Sequence, residues 1–165
     1  VSYIKKKNYF FVTPDGIKDA KYFADLYQAK SVLDYGCGET RLDIHALTRY
    51  DPFFNGCNKF PTQKSDLVFC HNVLNNINST ELQPIIGHIF SLTKRAAVIN
   101  IQFPGVYKIR NSEYRQYMIQ AGFTVKHNTK IELKEFEKTV GIPVSDTNPE
   151  WDLKNMVYHF LLEKN

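Results

Sequence analysis

Asp34, Gly36 and Gly38 close an apolar run that begins at Ser31, SVLDYGCG, and their types and spacing describe a ligand-binding turn. An apolar strand that stops at an acid and then breaks into two closely spaced glycines lets a ligand approach the backbone where a Cβ would block it. The dinucleotide fingerprint G-x-G-x-x-G has the same setting but needs a third glycine for close packing of helix on strand. That place is Arg41. A second acid, Asp51, ends the short run Arg49-Tyr50-Asp51-Pro52, 17 residues after Asp34. This is close to the roughly 20 residues that separate a glycine turn from a ribose-binding acid. Taken alone, Asp-Pro is equally the composition of a surface turn.

With Asp34 at the strand end and no glycine at 41, the pattern D-x-G-x-G resembles motif I of the class I S-adenosylmethionine (SAM) dependent methyltransferases. The resemblance implies that Tyr35, Gly36 and Gly38 run beneath the methionine part of SAM while Asp34 orders the loop. It makes Asp51 the acid of motif II, accepting both ribose hydroxyls, with Pro52 stopping the strand and Phe53 lying against adenine. The segment from Ser65 to Ile77 is similar to motif IV and the turn after it, with Cys70 and His71 closing the cofactor site. Between motifs II and IV the family has a helix and a further strand, and Phe54 to Lys64 is too short to hold both. The chain is therefore expected to be a reduced version of the fold, and the acidic contact to the adenine amine is assigned to no residue.

Methyl transfer from a sulfonium is an in-line displacement whose leaving group needs no proton, so a base is required only where the acceptor carries one. Methylation of a pyrimidine carbon needs a thiol nucleophile, and Cys70, in an apolar strand without a Pro-Cys element, reads as buried. Relatives that methylate exocyclic amines carry an Asn or Asp, Pro, Pro, aromatic element where this chain has Cys70-His71-Asn72-Val73. The ribose methyltransferases use a Lys-Asp-Lys-Glu tetrad, and here His71-Asn72 and Asn100 stand at two of its places. What is left is an acceptor with a free lone pair, such as guanine N7 of an mRNA cap, held by positioning groups His71, Asn72 and Asn100 without a general base. Another RNA, nucleotide or small-molecule acceptor is the alternative, as is a SAM-binding subunit without activity of its own.

Elements that would position these groups follow from periodicity. Pro14 to Gln28 has apolar residues at helical spacing, Ser31 to Tyr35 reads as the first strand, and Glu39 to Leu47 as a short helix. Ser65 to Cys70 and Arg95 to Gln102 are buried-type strands. Between them Asn78 and Glu81 form a capping-box-like start to a helix through Leu92, in which Pro84 is tolerable only in the first turn. Ser112 to Gln120 is a helix ended by Gly122, and strands follow near Phe123 to Leu133 and Met156 to Glu163. The alternation predicts one α/β domain over residues 1–165. Its Rossmann-like sheet would be mostly parallel, with an antiparallel edge pair.

Past Arg95 to Gln102, the loop Phe103-Pro104-Gly105-Val106-Tyr107-Lys108-Ile109-Arg110 combines aromatic faces with cations, as a base-stacking and phosphate-binding surface does. Substrate contacts are expected from Asn75, Phe103, Tyr107, Lys108 and Arg110, with Trp151 as either a base platform or a packing anchor in the long stretch 137–154. His45, His88, His127 and His159 lack metal-ligand spacing, and no metal is expected.

The 165 residues carry a formal net charge of +4, a mild basic bias compatible with a capped RNA as partner. Three cysteines form neither a disulfide framework nor a zinc pattern, which suggests a reducing, cytoplasmic setting, that of a host cell if the protein is viral. No apolar run approaches the roughly 20 residues that span a bilayer. The first residue, Val1, is expected of a trimmed or processed chain, such as one cut from a polyprotein.

Overall fold

The computed structural model describes residues 4–6, 9–11, 17–38, 44–132 and 156–165. Six strands form one sheet: β3 (Val32–Tyr35), β4 (Leu47–Tyr50), β5 (Ser65–His71), β6 (Thr93–Phe103), β7 (Thr124–Glu132) and β8 (Met156–Glu163), in the order β4-β3-β5-β6-β8-β7. The first four strands of that order run parallel, and β8 lies antiparallel between β6 and β7. Strands buried on both faces read as continuous apolar runs. This is why β3 is buried at all four positions and β5 at five of its seven.

Two cores flank the sheet. Helices α2 (Ser79–Leu92) and α3 (Asn111–Ala121) cover one face, burying Leu82, Ile86 and Ile89 from α2 and Tyr114 and Met118 from α3 against Leu33, Val68, Cys70 and Ile99. Each such burial contributes about 1.5–3 kcal/mol. On the other face Phe23 of α1 (Ile17–Leu26) packs with Val32, Leu67, Phe69, Val98 and Leu161.

Helix ends follow local chemistry. The Asn78 side chain accepts the N–H of Glu81 at 3.0 Å, as the capping-box reading predicts. Gly122, at φ 115°, ends α3, and a Cβ there would meet the Phe90 ring at 2.7 Å.

Three expectations change. Pro84 lies in the second turn of α2, not the first. It removes only its own N–H bond, while the buried row Leu82, Ile86 and Ile89 holds the helix to the sheet. A helix through Leu47 does not form: residues 39–43 lie outside the described residues, and His45-Ala46 is a turn that feeds directly into β4. Ala46 has φ 58°, a left-handed conformation that ends helices, and its carbonyl accepts the N–H of Val32. A two-stranded antiparallel hairpin, β1 (Ile4–Lys6) with β2 (Tyr9–Phe11), precedes α1. His71 is the last residue of β5 and not the first of the following loop.

The contraction between β4 and β5 is as expected. Residues 51–64 hold turns only, so β4 is an edge strand of the sheet among the described residues.

Candidate functional site

Strands β3, β4, β5 and β6 all deliver their carboxyl ends to one edge of the sheet, and the chain switches sides between β3 and β5. In open α/β sheets ligands bind at that switch point. The four loops that open there are joined in sequence by close contacts. Asp51 accepts the N–H of Gly38 at 3.0 Å through one carboxylate oxygen, and the N–H of Phe53 at 3.0 Å through the other. Gly36, at φ 78°, sits against the turn after β5: a Cβ on it would lie 2.3 Å from Cγ2 of Val73. Gly105 presses on Asn75 in the same way, at 2.4 Å from its carbonyl oxygen, and Val106 N–H donates to that oxygen. Gly36 is thus required by the close approach of a neighbouring loop as well as by its φ, and Gly105 by close approach alone.

On the α1 face, side-chain alternation brings a polar row to this edge: Arg49, Asp34, His71, Asn100 and His159 from five neighbouring strands. Arg49 is paired in register with Asp34 and donates to the carbonyl of Gly38 at 2.9 Å. Asp34 is buried, and burial first, against the opposing pull of Arg49, raises its carboxyl to about 6. His71, Asn100 and His159 are directly opposite one another across β5, β6 and β8. His159 Nδ1 lies 2.6 Å from Asn100 Oδ1, with Phe23 stacked on the imidazole. Burial lowers the His159 pKa to about 3, so the ring is neutral at physiological pH. An amide oxygen only accepts, so Nδ1 carries the proton in this arrangement.

The opposite face of the same edge is aromatic. Tyr35 hydroxyl and His88 Nδ1 are 2.8 Å apart, Phe60 stacks on His88 at 4.2 Å, and Tyr50 meets Phe60 edge-on. This cluster ties the 51–64 loop to α2 at the sheet edge left open by the short connection.

The candidate residues sort as follows. Asp34, Gly36, Gly38 and Asp51 come together, and Pro52 and Phe53 follow on the same rim, with Phe53 96 % exposed. Tyr35 and Cys70 point their side chains into the α2-side core, so only their backbones face the edge. Cys70 is fully buried, and burial pushes its thiol far up, in keeping with the inert thiol expected. Asn100 is 2 % exposed and bonded to His159 within the row. Asn72, at φ 55°, is exposed; its N–H donates to the Asn100 carbonyl and its Oδ1 accepts from Gln102 N–H. Phe103 is a correction: it is 4 % exposed, packed on Tyr158 with Arg110 over its ring, because it still belongs to β6. Val106, Tyr107, Lys108 and Arg110 are the exposed members of that loop. Trp151 and the rest of 137–154 lie outside the described residues.

Arg49 and His159 were not singled out by the motifs. Their signal was a polar residue facing inward within an otherwise apolar strand, at LTRY and MVYHFLLE. Among the described residues no cluster of His, Cys, Asp and Glu could hold a metal, and no helix is long and apolar enough to cross a membrane.

No protein-family model matches the chain, and no curated protein matches it by sequence. Solved structures do match. Magnesium protoporphyrin IX methyltransferase from Synechocystis PCC 6803, with bound SAM, aligns with TM-score 0.57 at 14 % identity over 89 % of this chain and 78 % of that one. TehB from Haemophilus influenzae aligns with TM-score 0.59 at 14 % identity, covering 89 % of this chain and 62 % of its own. The cyclopropane synthase MmaA2 from Mycobacterium tuberculosis gives 0.57 at 11 % identity, over 93 % and 86 %. The fold is the Rossmann-like, mostly parallel sheet of these methyltransferase structures, with only turns between β4 and β5.

Proposed function

We propose that this protein is a SAM-dependent methyltransferase. The observation that carries the reading is the contact of Asp51 with Gly38, which places the two acids, the two glycines and exposed Phe53 on one rim at the switch point. In this reading the Gly36–Gly38 turn and Asp34 hold the methionine part, with the backbones of Tyr35 and Cys70 beside it. Asp51 accepts the ribose hydroxyls through lone pairs left over from its two backbone bonds, Pro52 fixes the turn, and Phe53 covers adenine. The similar fold of a protein crystallised with SAM supports the cofactor assignment.

For the acceptor, the reading is guanine N7 of a capped RNA in the cytoplasm. With Asp34 of the row assigned to the cofactor, its remaining members His71, Asn100 and His159 include no carboxylate or lysine, and burial keeps the His159 ring neutral. Such a site favours an acceptor whose lone pair is already free. Asn72 and Asn75 stand on the rim beside it, and exposed Tyr107, Lys108 and Arg110 supply a stacking face and phosphate-binding cations. A second reading, a SAM-binding subunit that acts through a catalytic partner, is favoured by the unpaired outer side of β4 among the described residues. Incubation with methyl-labelled SAM and capped RNA, uncapped RNA and free nucleotides separates the readings. Transfer to GpppA-ended RNA, lost when the guanine is already N7-methylated, is expected; transfer to another acceptor replaces the cap assignment. SAM binding without transfer to any of them leaves the subunit.

A further inference from the structure

We propose that Cys37 and Cys57 are a redox-modification site, whose disulfide staples the glycine turn after β3 to the loop after β4 and closes the site to SAM. The two cysteines are held against one peptide group. Cys37 N–H donates to the carbonyl of Tyr50 at 3.1 Å, and the N–H of that same Tyr50–Asp51 peptide donates to the carbonyl of Cys57 at 3.0 Å. The Cys37 thiol is close enough to Cys57 for the two side chains to act on each other, and both are free. Gly36 and Gly38 flank Cys37 and Gly56 precedes Cys57, all with positive φ. Cβ atoms added at Gly38 and Gly56 would meet nothing within 4 Å, so the backbone has room to adjust at both ends of a bridge.

The ligand class is a low-molecular-weight disulfide, such as glutathione disulfide. Cys57, the less buried of the pair, reacts first: its thiolate attacks one sulfur, forms a mixed disulfide and expels one glutathione thiolate. Cys37 then loses its proton to solvent and attacks Sγ of Cys57, forming the Cys37–Cys57 bond and expelling the second glutathione thiolate. The protein gives up two electrons and two protons, and the disulfide is reduced to two thiols. The second step is the slow one, because burial pushes the Cys37 thiol up to about 12, with Arg49 opposing.

A disulfide bond of about 2.05 Å is far shorter than the contact distance of two free thiols. Closing that gap draws Cys37 toward Cys57 and pulls Gly38 off the Asp51 carboxylate, the contact on which the proposed cofactor site depends.

The test oxidises the purified protein with glutathione disulfide, blocks remaining thiols with N-ethylmaleimide, maps linkages by mass spectrometry, and measures SAM affinity by calorimetry before and after dithiothreitol. The expected result is a Cys37–Cys57 peptide, SAM affinity lowered at least about tenfold, and full recovery on reduction. Cys57→Ser is expected to bind SAM as the reduced protein does and to ignore the oxidant. A stable glutathione adduct at Cys57 with no internal link, or a link that leaves SAM affinity unchanged or higher, overturns the proposal. The closing of the site rests on the SAM reading. Reduced protein that fails to bind SAM refutes that reading, whereas the linkage map decides the disulfide independently.

Discussion

Asp51 grips the N–H of Gly38 at 3.0 Å, so the acid at the end of β4 holds in shape the glycine turn at the end of β3. The turn is pre-organised by a charge-assisted bond from its neighbour, and Arg49 closes the same turn from the other side through the Gly38 carbonyl.

Asp51→Ala therefore strands two backbone N–H groups, those of Gly38 and Phe53. Urea denaturation is expected to show a loss of about 1–3 kcal/mol, tempered by solvent at this half-buried site. Calorimetry is expected to show weaker SAM binding as well. Unchanged stability would mean that the two bonds do not order the loop.

Asp34 makes binding and stability respond to pH in opposite directions. Its carboxyl ionises at about 6 in the folded protein against 3.8 for the ordinary group. Between those values the folded state keeps a proton that the unfolded chain has lost. Stability is thus fully present below pH 3.8, falls as pH rises toward 6, and is flat above, a change on the order of 2–3 kcal/mol. The cationic cofactor favours the ionised acid, so SAM affinity is expected to rise from pH 5 to 7. Asp34→Asn is expected to abolish that rise, weaken binding at pH 7, and stabilise the ligand-free protein there. Calorimetry and denaturation across the pH series check both.

Gly36 is constrained twice, by φ 78° and by Val73. Gly36→Ala is expected to destabilise the protein by about 2–4 kcal/mol, combining left-handed strain with the clash. Adding Val73→Ala relieves the clash but not the strain, so the double variant is expected to be more stable than the sum of the single losses predicts. Simple additivity in the double-mutant cycle would show that the turn does not rest on Val73.

Phe53 is 96 % exposed, so it contributes no packing to the protein alone. Phe53→Ala is expected to leave the melting temperature within about a degree and to weaken SAM by about 1–3 kcal/mol, the usual value of a base–aromatic stack. Equal affinity in the variant would remove Phe53 from the adenine site.

The Asn78 side chain bonds within its own helix start, to Glu81 N–H and the Thr80 hydroxyl. Asn78→Ala is expected to cost about 1 kcal/mol in denaturation and to leave SAM affinity unchanged, which serves as a control for the site variants.

Much of this organisation is local in origin and was legible in the chain. Strand β3 and its glycine turn, the cap at Asn78, the stop at Gly122 and the contraction over 54–64 each depend on residues within a few positions of one another. Backbone conformation and hydrophobic period are set at that range. Other features needed partners distant in sequence. The buried Asn100–His159 pair joins residues 59 positions apart, and Asp34 becomes a raised-pKa acid only when the sheet removes its water. Phe103 looked like a loop aromatic because strand ends are blurred in sequence; pairing with Met156 keeps it in β6 and in the core. The chain by itself thus determined the turn, the acids and the order of elements. Tertiary structure alone decided which loops touch, since Asp51 to Gly38, Gly36 to Val73 and Asn75 to Gly105 are contacts made by strand order and register.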